Sequence, residues 1–227
     1  MTRSLGIFGG TFDPVHYGHL RAAAEVREAL DLGELRLVPA RDPPHRGTPS
    51  ATAAQRVAML DLALPEFPGL AIDTREIRRT GKSYTVDTLR ELRGESPQRP
   101  LVLVVGVDTF AGLPQWHRWR DLVTLAHVAV VTRPGAHLED ALQGPLGDLW
   151  RDRHRDEVSQ LESAPAGSIF SVQVTPQPIS ATAIRALLAK GPAGIAQVRG
   201  LLPAAVLTYI EHHRLYRPLI DHHRDAS

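Results

Sequence analysis

The residues best placed to do chemistry lie in one stretch near the N-terminus, Gly6-Ile7-Phe8-Gly9-Gly10-Thr11-Phe12-Asp13-Pro14-Val15-His16-Tyr17-Gly18-His19-Leu20. It reads as a short apolar strand, a turn on two adjacent glycines, and a helix running roughly from Gly18 to Leu30. That arrangement aims backbone N–H groups and the positive end of a helix dipole at one place, which suits an anion. Gly9 and Gly10 carry no Cβ, so the backbone there can come close to a phosphate. His16 and His19 stand three apart with Gly18 between them, and both can point into the same space. The chemistry this allows is nucleotide-phosphate binding with imidazole donors.

A second stretch suits the same anion. In Ile179-Ser180-Ala181-Thr182-Ala183-Ile184-Arg185, Pro176 and Pro178 keep the preceding chain extended and Ser180 stands where an N-cap belongs. Capping alone accounts for Ser180. It does not account for Thr182 and Arg185 on the opening turns, where a cation opposes the helix dipole unless an anion is present. Two further stretches suit an acceptor. Lys82-Ser83-Tyr84-Thr85-Val86-Asp87-Thr88-Leu89 opens a helix, so the amides around Tyr84 and Thr85 can receive a carboxylate. Gly106-Val107-Asp108-Thr109-Phe110-Ala111-Gly112-Leu113-Pro114-Gln115-Trp116-His117 puts an aromatic plane beyond a strand end. Trp116 either stacks on a ligand ring or fills the core, and its sequence leaves both open.

The N-terminal pattern is not the dinucleotide fingerprint, which would be Gly-x-Gly-x-x-Gly with an acidic residue about 20 positions on. Gly-Gly-Thr-Phe-x-Pro-x-His-x-Gly-His instead resembles the signature of the nucleotidylyltransferase superfamily and, in its full wording, of the nicotinate-nucleotide adenylyltransferases of NAD biosynthesis. Ile179 to Arg185 resembles the superfamily's Ile-Ser-x-Thr-x-x-Arg, with Ala181 where many members have Ser. Pro43-Pro44-His45-Arg46 resembles the family's Pro-Pro-His-Lys; Arg46 keeps the lysine's charge but offers a planar fork. Otherwise Pro43 to Arg46 would be a solvent-facing basic loop. Asp108 matches a Gly-x-Asp, and Arg133 lies in a matching Thr-Arg-Pro-Gly. The C-terminal run from Leu202-Pro203 to Leu215-Tyr216 also matches and reads as structural, so the resemblance spans nearly the whole chain.

The resemblance implies that ATP and nicotinate mononucleotide give nicotinate adenine dinucleotide and pyrophosphate. The acceptor phosphate is already a nucleophile, so catalysis would be in-line positioning plus stabilisation of phosphate charge. His16, His19 and Arg185 would be the catalytic residues, with His19 at the α-phosphate. Ser180, Thr182, Arg185 and Arg46 would hold the β- and γ-phosphates, with Gly9, Gly10, Thr11, Phe12, Gly106, Asp108 and Ile179 completing the ATP site. Trp116 would stack on the nicotinate ring, and backbone near Thr85 and His117 would bind its carboxylate. Ser83, Tyr84, His45 and, loosely, Arg133 would complete the acceptor side. Mg²⁺ would arrive with ATP, held mostly by phosphate and water, because few carboxylates converge here.

The elements that must position these groups read as α/β with a mainly parallel sheet: a Rossmann-like, doubly wound sheet of about five or six strands flanked by helices, with a small C-terminal helical part. Expected strands after the first are Leu35–Pro39, Leu70–Ile77, Leu101–Val105, Val128–Val131 and Ile169–Val174. Leu101–Val105 is apolar at every position and should lie centrally, buried on both faces. Expected helices are Ala51–Leu64, Thr85–Leu92, Ser180–Leu188 and Pro203–His213. Between Ala136 and Gly167 the helical signal is broken by Gly144, Pro145, Gly147 and Pro165. The polar candidates all fall at strand ends, where a sheet of this kind binds its ligands, so pieces far apart in sequence would line one cleft.

At 227 residues one domain is expected, with its core about 1–135 and 168–190 and its C-terminal helical part about 191–217. A net charge of +1 with acids and bases well mixed argues against nucleic acid or an anionic membrane as partner. No cysteine is present, which excludes a disulfide scaffold and a thiolate metal site. No signal-like N-terminus and no long apolar run is found, so a cytoplasmic protein is expected. The pairs His212-His213 and His222-His223 read as solvated surface rather than metal ligands, since adjacent helical residues do not face each other. Three rival readings are an adenylyltransferase acting on nicotinamide mononucleotide or phosphopantetheine, a nicotinamide-dinucleotide oxidoreductase, and a nucleotide- or nucleic-acid-binding module. Composition does not set the oligomeric state.

Overall fold

The computed structural model describes residues 3–43, 47–132 and 138–217. Six strands, β1 (Leu5–Gly10), β2 (Glu34–Pro39), β3 (Leu70–Ile72), β4 (Leu101–Gly106), β5 (His127–Thr132) and β6 (Ile169–Gln173), form one sheet in the order β3-β2-β1-β4-β5-β6. Every neighbouring pair is parallel. The chain builds outward from β1 to β3, then returns to β1's other edge and builds outward again. Strand order therefore reverses between β1 and β4, and the crevice beyond their carboxyl ends is where such sheets bind ligands. The continuous apolar run of β4 is explained by its two covered faces. Leu101, Leu103 and Val105 join one buried cluster, Val102 and Val104 the other.

Helices α1 (Tyr17–Ala29), α2 (Ala53–Ala63), α3 (Arg75–Arg78), α4 (Thr85–Glu95), α5 (Val107–Ala111) and α6 (Trp119–Leu125) precede β5 or connect the strands before it. They are followed by α7 (Leu138–Ala141), α8 (Pro145–Arg153), α9 (Ala181–Leu188), α10 (Pro192–Val198) and α11 (Ala204–His212). One apolar layer is made by Leu20, Met59, Leu60, Ile184, Val198 and Val206, from α1, α2, α9, α10 and α11. The opposite layer takes Val86, Leu89, Leu122 and Leu146 from α4, α6 and α8. A capping box opens α2: the Thr52 hydroxyl accepts the Gln55 N–H at 3.3 Å and the Gln55 side chain accepts the Thr52 N–H at 2.9 Å.

Three local expectations are corrected. The expected strand Leu70–Ile77 ends at Ile72, because the Asp73 carboxylate accepts the Arg75 N–H at 3.0 Å and starts α3 instead. Pro145 does not break a helix; it occupies the first turn of α8, where its missing N–H costs nothing. The two adjacent glycines are not the turn: Gly9 and Gly10 end β1, in strand register with Val38 and Pro39. The chain turns at Phe12, whose φ of 50° lies in the left-handed region. Its ring is 1% exposed, and burying an aromatic of that size contributes about 2–3 kcal/mol, enough to hold a conformation that costs about 1–2.

Candidate active site

Two cavities meet beyond the carboxyl ends of β1 and β4, of about 570 Å³ and about 360 Å³. Each is in the range that takes a small molecule. Phe8, Thr11, Val104, Gly106 and Asp108 line both, so the two cavities are neighbours at this crevice.

The larger cavity is built by the start of α1 and the start of α9. His16 is the N-cap of α1 and no side chain caps that end; the Tyr17 N–H donates to the Leu201 carbonyl at 3.0 Å and the His19 N–H to the His16 carbonyl at 2.9 Å, so this helix start faces the cavity through His16, Gly18 and His19. The rings of His16 and His19 stack with centroids 3.7 Å apart and planes at 25°. Phe12 meets His19 edge-on, with centroids 5.1 Å apart, and so fixes the outer imidazole. Gly18 is required by this packing. A Cβ there would lie 2.9 Å from Nδ1 of His16, so any side chain would push the ring aside. Across the cavity Ser180 caps α9, its Oγ accepting the Ala183 N–H at 3.1 Å. Arg185 donates to the main-chain oxygen of Asp13 at 2.6 Å and to the Thr182 hydroxyl at 3.4 Å. Both partners are neutral, so the guanidinium charge still favours an anion.

The smaller cavity lies over β4 and the start of α4. Thr85 is the first residue of α4 and Tyr84 its N-cap, again without a side-chain cap. Ser83 ties this start to the loop after β2: its Oγ accepts the Arg41 N–H at 3.0 Å and its N–H donates to the Asp42 carbonyl at 3.1 Å. The Tyr84 and His117 rings lie 4.6 Å apart, and Trp116 is half-buried with one side on the cavity. The neighbouring Trp119, 9% exposed, fills the core instead. Glu76 and Thr88 complete the wall, the Thr88 hydroxyl donating to Glu76 at 2.6 Å. Burial pushes the Glu76 carboxyl above the usual range, against the pull of the Thr88 and Ser83 hydroxyls.

Of the residues singled out from sequence, Thr11, Phe12, His16, His19, Gly106, Asp108, Ile179, Ser180, Thr182 and Arg185 line the larger cavity. Ser83, Tyr84, Thr85, Trp116 and His117 line the smaller one. Gly9 and Gly10, expected against phosphate, line the smaller cavity, because the strand continues through them and the chain turns to the other side only at Phe12. His45, Arg46 and Arg133 lie outside the described residues. Sequence reasoning missed Asp13, Thr48, Ser50 and Gln177 on the larger side, and Glu76 and Thr88 on the smaller. Asp13 stood inside the motif and was readable as a candidate; Glu76 carried no local signal. His212 and His213 are exposed; His222 and His223 are outside the described residues. Among the described residues no group of three or more His, Asp or Glu could hold a metal, and no helix is long and apolar enough to cross a membrane.

Comparison with known proteins agrees with this geometry. A family model described as cytidylyltransferase-like matches residues 7–187. A probable nicotinate-nucleotide adenylyltransferase of Dechloromonas aromatica is 49% identical over 96% of this chain and 99% of its own. One from Methylococcus capsulatus is 47% identical over 93% of this chain and 99% of its own. A Plasmodium falciparum nicotinic acid mononucleotide adenylyltransferase solved in complex with NaAD has the same fold, with a TM-score of 0.69 at 17% identity over 94% of this chain and 97% of that one.

Proposed function

The chain belongs to the nicotinate-nucleotide adenylyltransferases of the cytidylyltransferase-like family, and from that premise we propose that its two joined cavities hold the two substrates of one reaction. That reaction transfers AMP from ATP to nicotinate mononucleotide, giving nicotinate adenine dinucleotide and pyrophosphate. The observation that carries the assignment of sides is the shared wall. Gly106 and Asp108 border both cavities, so a phosphate donor in one and a mononucleotide in the other bring their reacting atoms together at the β1/β4 crevice.

ATP takes the larger side. A phosphate oxygen of the mononucleotide forms a bond to the α-phosphorus, the bond to the bridging oxygen of the β-phosphate breaks, and pyrophosphate leaves with that electron pair. No proton has to be removed from the nucleophile. His19 donates to the α-phosphate, with His16 stacked behind it, and the dipole of α1 adds to the same field. Ser180, Thr182 and Arg185 hold the departing pyrophosphate, and Arg46, outside the described residues, is assigned to the same phosphates. On the smaller side the free amides at the start of α4 receive the pyridine carboxylate, Trp116 stacks on the ring, and Tyr84 and His117 flank it.

Mg²⁺ bound with ATP would supply charge neutralisation on the phosphates. The larger cavity is lined by two carboxylates, Asp13 and Asp108, and Asp13 already accepts three hydrogen bonds. That donor set suits an ion held by phosphate and water with at most Asp108 beside it. We assign the reaction to the cytoplasm, and the net charge of +1 argues against nucleic acid as a partner.

The test is pyrophosphate release from ATP and Mg²⁺ with nicotinate mononucleotide, run beside nicotinamide mononucleotide and phosphopantetheine. Turnover is expected with the nicotinate compound well above the others. Turnover with phosphopantetheine instead would overturn the acceptor half alone, and none with any acceptor would overturn the reaction.

A further inference from the structure

Behind the larger cavity stands a buried network that phosphate binding by itself does not require. Asp13 is 4% exposed and accepts three hydrogen bonds. Its Oδ2 takes the Ser50 N–H at 2.7 Å, and its Oδ1 takes the Ala51 N–H at 3.1 Å and the Tyr216 hydroxyl at 2.7 Å. Its main-chain oxygen takes the Arg185 guanidinium at 2.6 Å. Next to it Arg56, 1% exposed, donates to the main-chain oxygens of Thr11 and Ala40, both at 2.8 Å. Asp13 thus joins, through its carboxylate, the segment that leads into α2 and the C-terminal segment, and, through its main-chain oxygen, the α9 arginine, all to the turn that carries His16.

We propose that Tyr216 is a positioning residue for the phosphate side of the reaction, acting through Asp13 on Arg185 and on the turn that ends at His16. This rests on the reading of the larger cavity as the ATP side. Packing of the C-terminal part is already provided by Val206, Leu207 and Ile210, so an apolar residue at 216 would serve packing alone. A hydroxyl carried 203 positions to a buried carboxylate is a different feature. Tyr216 also holds a φ of 64°, a conformation that L side chains seldom adopt, so its surroundings must specify the pose. Burial and the charge of Asp13 keep the phenol protonated and therefore a donor. Without it Oδ1 keeps one donor in a place water scarcely reaches, and the carboxylate has reason to shift. Any shift moves the Asp13 carbonyl, and Arg185 with it.

The experiment is Tyr216→Phe, with Tyr209→Phe as a same-chemistry control from the neighbouring helix, assayed by pyrophosphate release and thermal melting. Tyr216→Phe is expected to lower kcat/KM for ATP roughly tenfold, through a raised KM for ATP and a lowered kcat, with KM for nicotinate mononucleotide within about twofold of wild type. Tyr209→Phe is expected to match wild type. Unchanged ATP parameters, with or without a lower Tm, overturn the proposal. So does an equal rise in both KM values, which would mean general loosening. If Tyr216→Phe does not fold, Asp13→Asn is read by the same split, with the same outcomes deciding. A wild-type chain without turnover would instead overturn the reaction; the brace is then read from ATP affinity by calorimetry, a roughly tenfold loss in Tyr216→Phe supporting it and equal affinities overturning it.

Discussion

In the proposed assignment the two cavities hold opposite solutions to the same problem, how to bind an anionic group. The larger side uses side chains: two stacked imidazoles from the start of α1, and a serine, a threonine and an arginine from the start of α9. The smaller side uses backbone at the start of α4 and flat rings, Trp116, Tyr84 and His117, around it. The difference follows from what happens to each ligand. Charge moves among the phosphates during the reaction, so donors there must be strong, aimed and held from behind, and Asp13 and Arg56 hold them. A pyridine carboxylate keeps its charge throughout, so a helix end and a stacking surface suffice to place it. Removing a group should therefore lower kcat on the first side and raise one KM on the second.

The largest effect should come from His19→Ala. It removes the donor assigned to the α-phosphate, and a loss of at least about a hundredfold in kcat is expected, comparable to deleting one preorganised donor. Circular dichroism and melting should report an intact fold, since His19 is only partly buried. Near-normal turnover would remove His19 from the chemistry and break the comparison at its stronger end.

Trp116→Ala should act more weakly and differently. Loss of a stacking partner is expected to raise KM for nicotinate mononucleotide about tenfold while leaving KM for ATP nearly unchanged. Steady-state kinetics with each substrate varied in turn separate the two. A variant in which both KM values rise together would show that Trp116 supports the cleft as a whole, and the two sides would no longer be independent.

How far this contrast was visible in the sequence differs between its halves. The imidazoles, Ser180 and Arg185 are legible because their spacing is local: a helix start needs only a few adjacent residues to declare itself. The apolar run of β4 likewise announced a strand covered on both faces. The brace was not legible, because its bonds join residues 37, 38, 172 and 203 positions apart, and no periodicity links them. The turn was misplaced by two residues for a related reason. Gly9 and Gly10 look like a turn until β2 is seen paired against them through Val38 and Pro39. On the smaller side, Trp116 and Trp119 have equally aromatic surroundings in sequence, and only the packing tells which one fills the core.

Glu76 gives the finest test, because among the described residues it is the one buried carboxylate on the wall of the smaller cavity, facing Thr88 and Ser83 with Arg79 and Asp73 near. Its folded-state pKa is raised, with burial the main cause, so the folded chain holds this proton to a higher pH than the unfolded chain does. Stability from this group is therefore full below the ordinary glutamate range and declines as pH rises through the folded value. Glu76→Gln keeps an acceptor for the Thr88 hydroxyl and removes the titration. The variant and wild type should melt together in acid, and the variant should melt higher at neutral pH, where the buried carboxylate of the wild type must ionise. KM for nicotinate mononucleotide should stay within about twofold, because backbone amides rather than Glu76 are assigned to the carboxylate. A rise well beyond that would make Glu76 part of acceptor recognition, and the smaller cavity would then read its ligand with a side-chain charge, as the larger one does.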